Sequence, residues 1–177
     1  MTALADSLLR AANDTASRLK ALGIEPEALA EYVPSRRKFL IQRAATMRPL
    51  GEVWRLGTLL LRVDRHSDPP LLVAGPATRA AKRLHPGNQS ISREERRDIA
   101  AAALAGGYPE GQAVHYNAVP IPLDNAALRE LGPEHPLGVV GDTIRVRWRA
   151  GASLEGAPTL ADYLNERIDL IAGRLEA

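Results

Sequence analysis

The spacing of apolar and polar positions divides this chain into segments of distinct character. Leu4, Leu8, Ala11, Ala12, Thr15, Leu19 and Leu22 recur at helical spacing with charges between them, and Gly23 is a suitable stop. Pro26 fits the first turn of a short second helix over residues 26–33, which Pro34 would end. From Ser35 the pattern turns to β, with Phe39, Leu40 and Ile41 as a first short strand among basic residues. Residues 53–64 are apolar on both alternating faces, which predicts a central strand covered on both sides. Gly57 in its middle signals a bulge or a close backbone approach. A turn at residues 65–69 and a returning strand at 71–74 complete an antiparallel hairpin.

Further on, Ser92 and Glu95 form a capping box ahead of an apolar stripe of Ile99, Ala100, Ala103 and Leu104, stopped by Gly106-Gly107. Residues 113–118 resume as a strand. Pro120 and Pro122 confine the next piece to an edge or to extended coil, and residues 124–132 hold one helical turn. A hairpin is expected around Gly141-Asp142. After it, Ile144, Val146 and Trp148 alternate with Arg145, Arg147 and Arg149 on opposite faces. Thr159 and Asp162 cap a last helix whose stripe is Leu160, Leu164, Ile168 and Ile171, with Leu175 close by. The expectation is an α+β fold: a mainly antiparallel sheet of about five to six strands with N-terminal, central and C-terminal helices. Residues 1–34 would form a helical segment packed on a single α+β domain of residues 35–177.

Composition narrows the chemistry. The 177 residues include no cysteine, which excludes disulfides, thiolate zinc sites and a cysteine nucleophile. Aromatic residues are only 4%, too few for a surface that stacks nucleic-acid bases, and both tryptophans are expected in the core. Residues 1–22 carry Asp6 and Asp14 and lack the apolar run of a signal peptide, and no run approaches a membrane span. A cytoplasmic protein without membrane contact and without a cofactor is expected.

Charge changes the picture most. Net charge is +2, yet residues 1–35 balance at −2, residues 36–97 at +9 and residues 98–177 at −5. The middle segment supplies a surface for a small anion or an acidic protein partner, with nucleic acid a lesser alternative, provided its cations are not neutralised by the acidic tail. Arg36, Arg37, Lys38 and Arg43 surround the first strand, while Arg93, Arg96 and Arg97 open the central helix. The candidate ligand-binding residues are Arg55, Arg79, Lys82, Arg83 and Arg97. Arg55, in an otherwise apolar strand, is expected to pair with Glu110 or Glu52; the alternative is that Arg55 and Arg79 face a pocket and bind a carboxylate or phosphate.

Other chemistry is thinner. Ser17 with Lys20 and Ser35 with Lys38 match Ser-x-x-Lys, and Tyr163-Leu164-Asn165 supplies a Tyr-x-Asn, as in serine acyl-transfer enzymes. No Lys-Thr-Gly-like element accompanies them. The histidines are dispersed, and Asp64-x-His66-x-Asp68 is the one dense set of possible metal ligands; a polar turn explains it equally well. Gly75-Pro76 follows a strand but lacks the pattern of a phosphate loop.

In Gly51-Glu52-Val53-Trp54-Arg55-Leu56-Gly57 with Leu59–Leu61, Gly75-x-x-Thr78-Arg79-Ala80, Gly106-Gly107-Tyr108-Pro109-Glu110-Gly111 and Leu160-x-x-Tyr163-Leu164-x-Glu166-Arg167, the chain resembles a family of small actinobacterial proteins of unknown function, sometimes labelled glutaminase. The resemblance spans residues 50–175. It implies a bacterial cytoplasmic setting and one compact domain, and brings no catalytic residue with it. The favoured expectation is a non-catalytic binding or interaction module. A small amidohydrolase using Ser17 or Ser35, and a homo-oligomer joined through the first helix, are the alternatives.

Overall fold

The computed structural model describes residues 4–38, 41–64, 69–83 and 91–175. Its elements are α1 (Leu4–Ala21), β1 (Glu27–Val33), β2 (Arg36–Lys38), β3 (Ile41–Arg43), β4 (Thr46–Leu56), β5 (Leu59–Arg62), β6 (Leu71–Val73), β7 (Ala77–Arg79), α2 (Ile91–Ala105), β8 (Ala113–Tyr116), β9 (Val119–Pro120), α3 (Asn125–Arg129), β10 (Leu137–Val140), β11 (Thr143–Val146) and α4 (Leu160–Leu175). The fold is α+β and mostly antiparallel. A seven-stranded sheet runs β7-β8-β1-β4-β5-β6-β9, and β10-β11 and β2-β3 form two-stranded sheets. Within the large sheet β1 and β8 are parallel. Among the described residues no helix is long and apolar enough to cross a membrane.

The sheet exceeds the five or six expected strands for identifiable reasons. Residues 27–33 are rich in Ala, Leu and Glu and favour a helix locally, yet they form a strand hydrogen-bonded to β4 on one side and β8 on the other. Ladder pairing and burial of Ala28, Leu29 and Ala30 override the local preference. Residues 53–64 are not one strand: Gly57-Thr58 turns the chain between β4 and β5. Gly57 has φ +65, the left-handed region that suits glycine.

The chain forms two compact units, one of Met1–Glu25, Trp54–Val73 and Pro120–Ala177, the other of Pro26–Val53 and Ala74–Val119. In the first, Leu4, Leu8, Ala12 and Leu19 of α1 join Trp54, Leu56, Leu59, Leu61, Ile144, Val146, Leu164 and Ile168 in one core. Trp54 is buried as expected, and its Nε1 donates to the Ile24 carbonyl at 2.9 Å. The capping box at α4 forms as read, the Asp162 amide donating to Thr159 Oγ1 at 3.2 Å and that hydroxyl donating to Asp162 Oδ2 at 2.7 Å. Tyr163 carries the turn between β4 and β5 on its hydroxyl, which accepts from the Thr58 amide at 3.0 Å and donates to the Leu56 carbonyl at 3.1 Å. A Cβ at position 57 would run into that hydroxyl.

The arginine-tryptophan alternation after Gly141 is inverted. β11 ends at Val146, so Trp148 lies outward at 74% exposure while Arg147 is buried. The Arg147 guanidinium leaves water only because carbonyls surround it: Nε donates to Ala152 O at 3.0 Å, and Nη1 to His135 O and Leu137 O at 2.9 and 2.8 Å. Beside it, His135 Nδ1 lies 3.1 Å from the Leu137 amide, from which a neutral ring accepts, and 3.3 Å from the Leu137 carbonyl, to which a protonated Nδ1 donates.

The second unit is packed with small side chains: Ala28, Ala30, Met47, Ala80, Ala102, Ala103, Val114 and Tyr116. Such a core brings backbones close together, and a Cβ on Gly106, just beyond α2, would strike the Met47 carbonyl. The chain stops its helix there as read, at Gly106 and Gly107 (φ +92). Ser92, read as a cap, lies inside the first turn of α2 instead, because the helix already begins at Ile91.

Gly57→Ala is expected to lower the unfolding free energy by about 2–4 kcal/mol, combining backbone strain with displacement of Tyr163, as read by urea denaturation. A pH effect is expected at His135. Burial, the larger cause, pushes this imidazole below its ordinary range; the contact with the Leu137 backbone opposes the shift and the Arg147 charge adds to it. The unfolded chain takes up the proton near pH ~6.5 while the folded state resists it, so stability falls as pH drops below that value. His135→Asn keeps an acceptor for the amide two residues on and is expected to flatten this part of the profile.

Candidate functional site: a basic ribbon and the groove at its base

The second unit contains four of the five basic residues singled out by sequence, and each is engaged within that unit. Arg79, on β7, donates from Nη1 to the Gly111 carbonyl at 3.0 Å. Lys82 pairs with Glu110 at 3.4 Å. Arg83 reaches both Glu94 at 3.6 Å and Asp98 at 3.1 Å, and Arg97 meets Glu94 at 3.5 Å. Arg83 and Arg97 are thus brought together through a shared carboxylate, in a network of two cations and two anions. Arg79 and Lys82 attach to the neighbouring Glu110-Gly111 turn instead.

Arg55 belongs to the first unit, near the end of β4, and its side chain is exposed. The expected buried ion pair is therefore not required: a solvated guanidinium needs no counter-ion, and Glu110 already pairs with Lys82. Two further residues fall into place as supports. Ser17 lies within α1, its hydroxyl donating to the Asn13 carbonyl at 2.9 Å, and Asn165 accepts from Arg18 at 2.5 Å. Of the Asp64-x-His66-x-Asp68 set, His66 and Asp68 lie outside the described residues. Among the described residues no group of three possible metal ligands stands together. His115, fully buried on β8, meets Glu27 Oε2 at 2.5 Å through Nε2.

Two of the cations without a carboxylate partner among the described residues, Arg36 and Arg43, lie on the β2-β3 ribbon. Residues 32–51 contain Arg36, Arg37, Lys38, Arg43 and Arg48 and no acidic residue. Arg48 is satisfied by Glu31 on the adjacent strand β1. Arg36 and Arg43 face each other directly across the antiparallel pair, both exposed, with no carboxylate partner among the described residues. Like charges opposite one another weaken strand pairing, so this arrangement offers its energy to any anion placed between or along them. The ribbon is a small sheet of its own.

At its base the chain opens a groove of about 510 Å³, lined by Tyr32, Ser35, Ala44, Ala45, Arg83 and Asp98 with the alanines of α2. Ser35 stands at this groove as an exposed residue beside the turn into β2. No general base among the described side chains is hydrogen-bonded to it. Sequence reasoning placed the ribbon cations in the basic segment without selecting them. The available signal was the twenty-residue gap between Glu31 and Glu52, together with the Glu94 and Asp98 spacing that places both carboxylates on one face of α2, where they neutralise Arg83.

Asp98 Oδ1 and Glu94 Oε1, the atoms that meet Arg83 and Arg97, are buried, so Arg83→Ala, which takes the counter-ion from the first, is expected to lower stability by about 1–3 kcal/mol in urea denaturation. Comparison with protein-family models, with curated proteins and with solved structures gives no match for this chain.

Proposed function

We propose that this protein is a non-catalytic, cytoplasmic interaction module whose basic β2-β3 ribbon engages an acidic segment of a protein partner. One observation carries the reading: Arg36 and Arg43 sit directly opposed, exposed and unneutralised, whereas four of the basic residues flanking the large sheet and α2 are already engaged. An extended acidic peptide suits a two-stranded ribbon, because either strand offers a free edge for backbone pairing while side-chain carboxylates relieve the cationic repulsion. Nucleic acid is the less favoured polyanion, since Tyr32, the aromatic in the groove at the ribbon's base, already packs against Tyr116.

The test is a fluorescence-anisotropy titration with a glutamate-rich peptide and, in parallel, a duplex oligonucleotide. The peptide is expected to bind with an affinity that falls steeply with salt, and Arg36→Glu/Arg43→Glu is expected to weaken it at least about tenfold. Peptide binding unaffected by the double reversal removes the proposal. Preference for the duplex would replace it with nucleic-acid binding. Amide hydrolysis abolished by Ser35→Ala would replace it with catalysis.

A further inference from the structure

The first unit contains a separate groove of about 420 Å³, lined by Gly57, Thr58, Val146, Arg147, Trp148, Pro158, Tyr163, Glu166 and Arg167. We infer that this groove is a binding site for a small planar carboxylate, an aryl acid in chemical class. Three independent features of the lining point there.

First, its charge is unbalanced. Two guanidinium groups and one carboxylate line it, and Arg147 is fixed by three backbone carbonyls whatever occupies the groove. Arg167 is left as the adaptable cation. Its Nη2 meets Glu166 at 3.1 Å, its Nε is buried without a partner, and Nη1 makes no hydrogen bond among the described residues. Each carboxylate-binding edge of its guanidinium includes Nη2, so a ligand carboxylate would take the place of Glu166 there.

Second, Trp148 is the most exposed of the large apolar side chains described, at 74%. An indole left in water beside a concave site supplies area that a flat ligand can cover. Arg149 lies over its ring at 4.5 Å, which holds the indole without covering both of its faces.

Third, the floor is rigid. Arg167 stacks on Tyr163 at 4.9 Å, and Tyr163 is itself fastened to Leu56 and Thr58 by hydrogen bonds. A preorganised ring-on-guanidinium wall loses little freedom when a ligand arrives. Groove and ribbon lie in different units, so this inference does not depend on the function proposed above.

Calorimetric titration of the full chain with benzoate, benzyl alcohol and sulfate at equal ionic strength tests it. Benzoate is expected to bind saturably in the millimolar range appropriate to so small an anion, with benzyl alcohol and sulfate each at least about tenfold weaker. Arg167→Gln is expected to weaken benzoate about tenfold, and Trp148→Ala about fivefold. Glu166→Gln changes an exposed side chain, releases Arg167 from its competitor and is expected to tighten benzoate about threefold. Benzyl alcohol or sulfate matching benzoate would overturn the proposal, as would a folded Arg167→Gln that binds normally. If Arg167→Gln does not fold, Glu166→Gln decides: unchanged or weaker benzoate binding there overturns it.

Discussion

A guanidinium taken out of water must find oxygen atoms, and this requirement sorts the arginines of the chain into those that build the fold and those left over. Arg147 is the strongest case: buried, it survives by collecting the carbonyls of His135, Leu137 and Ala152, and so ties the approach to β10 to the segment after β11. Arg145 does the same for the Ala157 carbonyl, and Arg129 for the Gly141 carbonyl together with Asp142 at 2.7 Å. In the second unit Arg79 fastens β7 to the Gly111 turn. These contacts close loops, where carbonyls outside ladders need donors.

The remainder gains meaning from that subtraction. Part of the excess of +9 in residues 36–97 is answered locally, because Glu94, Asp98 and Glu110 meet Arg83, Arg97 and Lys82 within the same unit. The neutralising carboxylates lie within or just beyond the basic segment, not in the distant acidic tail. Arg36 and Arg43 escape because no acidic residue occurs from position 32 to 51, and the Glu31 at the edge of that gap is engaged by Arg48. At water-like dielectric two such heads repel by no more than about 1 kcal/mol even at ~4 Å separation, small enough for the ribbon to form.

Much of the fold was legible where local chemistry decides it. Gly141-Asp142 makes its hairpin turn, Thr159 and Asp162 cap α4, residues 124–132 hold the short α3, and Gly106-Gly107 stops α2. Where tertiary context decides, the pattern misled. Residues 27–33 read as helix because Ala, Leu and Glu favour one, but β4 and β8 supply ladder partners that no local window contains. Gly57 reads as a bulge or a close backbone approach; its left-handed φ makes it a turn residue instead of a bulge, and what approaches it closely is the Tyr163 hydroxyl. The inversion of Arg147 and Trp148 has the same origin. Alternation holds only while the strand lasts, and β11 ends one residue before the arginine.

That last departure has a functional consequence. Had the strand continued, Trp148 would have joined Ile144 and Val146 in the core and Arg147 would have faced solvent. The chain instead spends a buried cation on three carbonyls and leaves one of its two tryptophans in water, both unfavourable choices for stability taken singly. Two distant segments of the chain bear on this reading. Gly57 from one and Tyr163 with Arg167 from another meet at the same groove, although they are separated by about a hundred residues. The glycine is needed because the hydroxyl leaves no space for a Cβ; the tyrosine is needed because it holds both the turn and the guanidinium above its ring. A fold requirement accounts for Gly57 and for Tyr163. It does not account for an indole held open beside them, and a ligand-binding surface does.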